Sequence, residues 1–186
     1  QNTLKNKLEL FEPPVAYITA YQQPTGSRFG GDALYNGENR KRGAAISYYI
    51  NKPEKKIDYS KKVKEAKKEE TPKIKYDSIK LEIFDGTRLI RTLKHKAPKE
   101  NGLHKTYWYL NEKGVTRPSR TIRKQKREPS GVRVKPGTYR LKMTFGDQTS
   151  EQNIKVKSDP RLTISEAAIN QKYDTSKELQ EYQKTI

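Results

Sequence analysis

The chain has 186 residues, 31% of them hydrophobic and 33% charged, with a formal net charge of +18 and no cysteine. That composition leaves room for one core of roughly 100 to 150 residues carrying long polar excursions, and it excludes disulfides, thiolate nucleophiles and cysteine-based zinc sites. No stretch approaches the roughly 18 apolar residues of a membrane-spanning helix.

The start, Gln1-Asn2-Thr3-Leu4, has neither an initiator Met nor the apolar core of a signal peptide, so the chain reads as a mature or excised piece. Leu8-Glu9-Leu10-Phe11 is apolar until Pro13-Pro14 stops it, because proline cannot donate to a ladder. Residues 1–14 are expected to be an incoming strand or linker from a preceding domain. Ala16 to Tyr21 alternates weakly, Gln22 to Arg42 is a Gly- and Asn-rich loop, and Ala44 to Ile50 is a strand of β-branched and aromatic residues. Residues 51–77 are rich in Lys and Glu with no apolar face to dock, and predict a mobile insertion.

Ser78 to Phe84 alternates cleanly, with Ile79, Leu81 and Ile83 inward; Asp85-Gly86 is a hairpin signal, and Thr87 to Leu93 is the returning strand. His104 to Leu110 contains the single tryptophan, Trp108, expected to plug the core on one face with Thr106 and Leu110, leaving Tyr107 and Tyr109 on the other. Residues 117–135 form the densest basic loop. In Val134 to Phe145, Pro136-Gly137 predicts a turn; Tyr139, Leu141, Met143 and Phe145 then alternate with Arg140, Lys142 and Thr144. Gly146-Asp147 reverses the chain into Thr149 to Lys157. About seven strands with turn signals between them predict an all-β immunoglobulin-like or fibronectin type III-like sandwich over residues 15–160. Its expected core includes Trp108, Tyr139, Leu141, Ile79, Leu81 and Ile83.

Past Pro160 the period lengthens. Thr163 and Glu166 have capping-box spacing, and Ile169, Tyr173, Leu179, Tyr182 and Ile186 follow at helical intervals. Residues 161–186 therefore predict an amphipathic C-terminal helix, truncated because its stripe reaches the last residue without a stop.

Few residues suggest chemistry. His95 and His104 stand alone, no Gly-x-Ser-x-Gly elbow or phosphate-binding loop occurs, and Glu12, Asp32, Glu38, Glu82 and Asp85 form no evident pair for glycoside hydrolysis. No catalytic residue, metal ligand or cofactor is expected. The charge asks for an anionic polymer, but much of the excess lies in Asn51–Lys75 and Arg117–Lys135, and charge runs are more often solvated loops than sites. Arg117, Arg120, Arg123, Lys124, Lys126 and Arg127 are the candidate anion ligands. Tyr107 and Tyr109 are a candidate platform for sugars or bases, or else a cover beneath a neighbouring domain or the terminal helix.

Several blocks occur together in a telling order: Leu10-Phe11-Glu12-Pro13-Pro14, Gly43 to Ile50, Ile79 to Leu93, Gly102 to Trp108, Pro136-Gly137-Thr138-Tyr139 and Asp159-Pro160-Arg161. In that order the chain resembles the C-terminal region of secreted bacterial sortilin-like, Asp-box β-propeller proteins, frequent in Bacteroidetes and often labelled glycosyl hydrolases. The resemblance implies a non-catalytic accessory sandwich in a larger exported protein, secreted, periplasmic or on the cell surface. Its first partner would be the preceding propeller, with other proteins or glycans as further partners. No Ser-x-Asp-x-Gly-x-Thr-Trp motif is present, so the propeller and any hydrolase site lie outside this chain. The alternative is a polyanion-binding module whose basic loops engage nucleic acid or acidic polysaccharide.

Overall fold

Alternation of apolar and polar residues in three segments generates the framework, because each can bury one face and wet the other. The computed structural model describes residues 6–19, 41–53, 76–116, 120 and 128–185. Most of the predicted 22–42 loop, residues 54–75 of the predicted insertion, and residues 117–119 and 121–127 of the basic loop lie outside the described residues. The elements are β1 (Leu8–Leu10), β2 (Ala16–Ile18), β3 (Ala44–Ile50), β4 (Ser78–Asp85), β5 (Arg88–Lys96), β6 (Gly102–Trp108), β7 (Asn111–Lys113), β8 (Ser130–Arg133), β9 (Gly137–Phe145), β10 (Gln148–Ser158) and α1 (Glu166–Thr185). Among the described residues the protein is mostly β, with one C-terminal helix.

A three-stranded sheet has the order β1-β3-β6, and a five-stranded sheet, curled into a half-barrel, has the order β2-β10-β9-β4-β5. A third pair, β7-β8, stands apart. Pro13-Pro14 explains how the chain reaches both larger sheets: β1 pairs antiparallel with β3, the prolines interrupt the ladder, and β2 resumes parallel to β10. The segment read as an incoming strand or linker thus contributes directly to the core, since Leu8 and Leu10 are buried and the Leu10 amide donates to Ser150 Oγ at 2.9 Å.

Ile46 and Ile50 of β3, Ile79, Leu81 and Ile83 of β4, and Leu141, Met143 and Phe145 of β9 share one core with Trp108. Trp108 is fully buried; its indole N–H donates to the Asn111 carbonyl at 2.9 Å, and its ring meets Tyr139 edge-on with centroids 5.5 Å apart. Gly43 admits this arrangement: it has a φ of +91°, and a Cβ there would run into the Trp108 carbonyl oxygen.

Some turn expectations change. Gly137 is a strand residue opposite Val156, and its φ is not left-handed. The bend before β9 is held instead by the Tyr139 hydroxyl, which donates to the Lys135 carbonyl at 2.6 Å. Both hairpins place glycine first of two loop residues, Gly86 at φ +60° and Gly146 at φ +61°, with no positive φ at Thr87 or Asp147. That is the type II′ pattern. Ten described strands replace the predicted seven: β7 and β8, of three and four residues, have no period to announce them, and the incoming segment and the weakly alternating stretch after it become β1 and β2, of three residues each.

The helix differs in detail as well. Ser165, not Thr163, caps it, its hydroxyl accepting from the Ala168 amide at 3.2 Å. The docked face runs through Ile169, Tyr173, Lys177 and Gln180, all half-buried, whereas Leu179 and Tyr182 of the predicted stripe are exposed. Ile186 lies outside the described residues.

Candidate functional site

Trp108, Leu110 and Glu112 are alternate residues, and all three are buried. Between them the backbone turns at Leu110, which has a φ of +56° and whose carbonyl accepts from the Val134 amide at 3.0 Å. The inward phase that buries an indole thus also carries a carboxylate below the surface, with Glu112 only 3% exposed.

A buried charge must be paired, and Glu112 is paired on every side. Arg88 of β5 reaches Oε1 at 3.0 Å and Oε2 at 3.2 Å, Lys177 of α1 donates to Oε2 at 2.8 Å, and the Tyr173 hydroxyl donates to Oε1 at 2.5 Å. Burial alone would raise the Glu112 carboxyl, but hydrogen bonds from Arg88, Lys177 and Tyr173 outweigh it and hold the group below the ordinary carboxylate range. Reciprocally, the bond to Glu112 raises Arg88, while burial and then the same carboxylate raise Tyr173. Lys135 completes the cluster, its ammonium 4.9 Å from the centre of the Tyr173 ring.

Beside this anchor Arg91 reaches across the base of the basic excursion. Its guanidinium donates to the carbonyls of Glu112 at 3.1 Å, Glu128 at 3.0 Å, and Pro129, while Glu128 Oε2 accepts from the Thr92 amide at 2.9 Å. Burial lowers Arg91, and its Nε has no hydrogen-bond partner. β7 and β8 pair antiparallel through Asn111 with Arg133 and Lys113 with Ser130, so the predicted basic loop leaves the body from a paired stem.

An apolar groove of about 480 Å³ opens between the first half of α1 and the chain entering β9, with Ile18, Val132, Val134, Leu162, Ile164 and Ile169 among its walls. Asp159 lies at its edge, hydrogen-bonded to Arg161 through Nε at 2.8 Å and the backbone amide at 3.0 Å, contacts that hold its carboxyl at about 2.

The residues singled out in the sequence do not gather into one site. Tyr107 is half-buried beneath the Lys41 ammonium, 5.4 Å from its ring centre, whereas Tyr109 is 62% exposed beyond the end of β6. Arg120 is exposed; Arg117, Arg123, Lys124, Lys126 and Arg127 lie outside the described residues. His104 Nε2 is 3.0 Å from the Glu100 carbonyl, and His95 Nε2 is 3.3 Å from Thr106 Oγ1. Among the described residues no three His, Cys, Asp or Glu side chains are grouped to hold a metal ion. The anchor of Glu112, Arg88, Tyr173 and Lys177 went unrecognised in the sequence, although one signal was present: a carboxylate two residues beyond Leu110 in the inward phase of Trp108. No protein family, curated protein or solved structure matches the chain.

Proposed function

We propose that this chain is a non-catalytic accessory module, an immunoglobulin-like or fibronectin type III-like sandwich of a larger exported bacterial protein, seated beside a sortilin-like propeller. The observation that supports the non-catalytic part is that Glu112, the most deeply buried acidic residue among the described residues, is taken up by structural partners. A general acid or base at neutral pH needs an affinity for protons near that pH, and this carboxyl is driven the opposite way by partners that occupy both its oxygens. Its work is to fasten α1 to the sheets.

Two features support the sandwich reading. A first strand divided between a β1-β3-β6 layer and a β2-β10-β9-β4-β5 layer fits an immunoglobulin-like arrangement. The Tyr139 hydroxyl, bonded to a carbonyl four residues upstream at the start of β9, fits the tyrosine corner of that class, with Leu141 where antibody domains carry the second cysteine. Tyr139→Phe is expected to cost about 1 kcal/mol, the usual net worth of one hydrogen bond. Urea unfolding with an unshifted midpoint would deprive the corner of its role.

The larger-protein reading rests on the ordered blocks from Leu10 to Arg161. An antibody raised against this chain should detect, in the exported fraction of the source cells, a species far heavier than the 21.6 kDa of these residues. A cytosolic band of that size would overturn it. The purified chain should also leave aryl glycosides and oligosaccharides intact; turnover that copurifies with it would overturn the non-catalytic assignment.

A further inference from the structure

The strand registers assemble a charged track that no single segment displays. Ile79, Leu81 and Ile83 of β4 and Tyr139, Leu141 and Met143 of β9 point into the core, so Lys80, Arg140 and Lys142 at the alternate positions face solvent. Lys94 of β5 lies directly opposite Lys80. Lys80 pairs with Thr144, placing Lys142 on the adjacent diagonal, with Arg140 two residues farther along the same face. Arg140 in turn pairs with Asn153, so Lys155 is its diagonal neighbour and Lys157 follows on β10. From Lys94 to Lys157 these six cations run obliquely across four strands in steps of about 5 to 8 Å.

Two carboxylates share the face. Glu82 contacts Lys80 at 3.1 Å, and Glu151 contacts Arg140 at 2.9 Å and Lys142 at 3.6 Å. Six cations against two carboxylates leave four positive charges, and Lys94, Lys155 and Lys157 form no ion pair among the described residues. Such a row complements a linear polyanion, which gains by releasing its counterions.

Which polyanion is decided by the rings. Single-stranded nucleic acid is held by successive aromatic faces that stack on bases. On this track Phe84 is covered by Arg140, whose guanidinium carbon lies 4.4 Å from the ring centre, and among the described residues only Tyr17, opposite Lys157, offers an exposed ring at one end. We propose that the outer face of the five-stranded sheet binds an acidic polysaccharide, its carboxylates following the diagonal from Lys94 to Lys157. The track is made of residues of β4, β5, β9 and β10 alone, and it does not depend on the chain's belonging to a larger protein.

The test is titration of the whole chain with polygalacturonate and with an oligothymidylate, each across a range of salt. Binding to polygalacturonate should weaken steeply with salt and exceed binding to the oligonucleotide. The triple variant Lys94→Gln, Lys155→Gln, Lys157→Gln should lose about tenfold or more in affinity and show a shallower salt dependence, with an unchanged melting temperature because all three side chains are exposed. Neutralising the cations between residues 117 and 127 should leave affinity within about twofold. Absence of polygalacturonate binding at low salt, undiminished binding by the folded triple variant, dependence on the 117–127 cations alone, or equal or tighter binding of the oligonucleotide would each overturn the proposal.

Discussion

Trp108→Ala should destabilise the protein by about 3 to 5 kcal/mol, the range for deleting a large aromatic from a core. The indole is fully buried between the two sheets, stacks edge-on with Tyr139 and satisfies the Asn111 carbonyl. Truncation therefore opens a cavity, removes an aromatic pair and leaves a carbonyl without its donor. The Gly43 approach to the Trp108 backbone keeps β3 and β6 from closing the space by a simple shift. At roughly 2 to 4 °C per kcal/mol for a chain of this size, the melting temperature should fall by about 10 °C. A shift within error would mean that the tryptophan is not part of the core.

Glu112→Ala should release the helix before it unfolds the sheets. Losing one partner of a buried pair costs about 3 to 5 kcal/mol when the other charge is stranded. Here the partners are half in water, Arg88 with 49% of its side chain exposed and Lys177 with 29%, so about 2 kcal/mol is expected after solvent takes over their hydrogen bonds. Hydrogen exchange should show protection falling through α1 while β4, β9 and β10 keep theirs. The same contact predicts a direction in pH. Glu112 binds protons more weakly folded than unfolded, so its contribution is complete above the unfolded carboxylate value of about 4.3 and disappears as pH falls through the lower folded value. Protection of α1 should consequently weaken below about pH 4, and Glu112→Gln should remove that dependence. Uniform loss across helix and sheets would show that Glu112 does not anchor the helix selectively.

The long strands were legible because their two faces see different solvents. Ile79, Leu81 and Ile83, and then Tyr139, Leu141, Met143 and Phe145, are spaced by two in the sequence and lie on the buried faces of β4 and β9. The Gly86 and Gly146 reversals were legible for a local reason, since a left-handed residue in a two-residue loop favours glycine. Gly137 shows the limit: the chain bends at Pro136 as the Pro-Gly pair suggests, but Gly137 itself needs no positive φ and pairs with Val156 as the first residue of β9. The short β7 and β8 had no period to read, and β2 depends on a parallel partner 140 residues away. The Glu112 anchor joins β5, β7 and α1, three segments whose proximity exists only after folding. The diagonal of cations was hidden for the same reason, as each strand displays only one or two of its members and the rest depends on register. Helix docking was half legible: Ile169 and Tyr173 face the sheets, but polar Lys177 and Gln180 continue the contact where hydrophobicity pointed to Leu179.

Arg91 has a bearing on how this molecule can vary. By clamping the carbonyls at both ends of the segment between β7 and β8, it lets that segment begin and finish at fixed points whatever lies between them. Closing a longer segment over the same gap adds only about 0.6 kcal/mol per doubling of its length. The stem is consequently a natural splice point, where foreign peptide can be displayed, or a new specificity acquired, while the sheets retain their register.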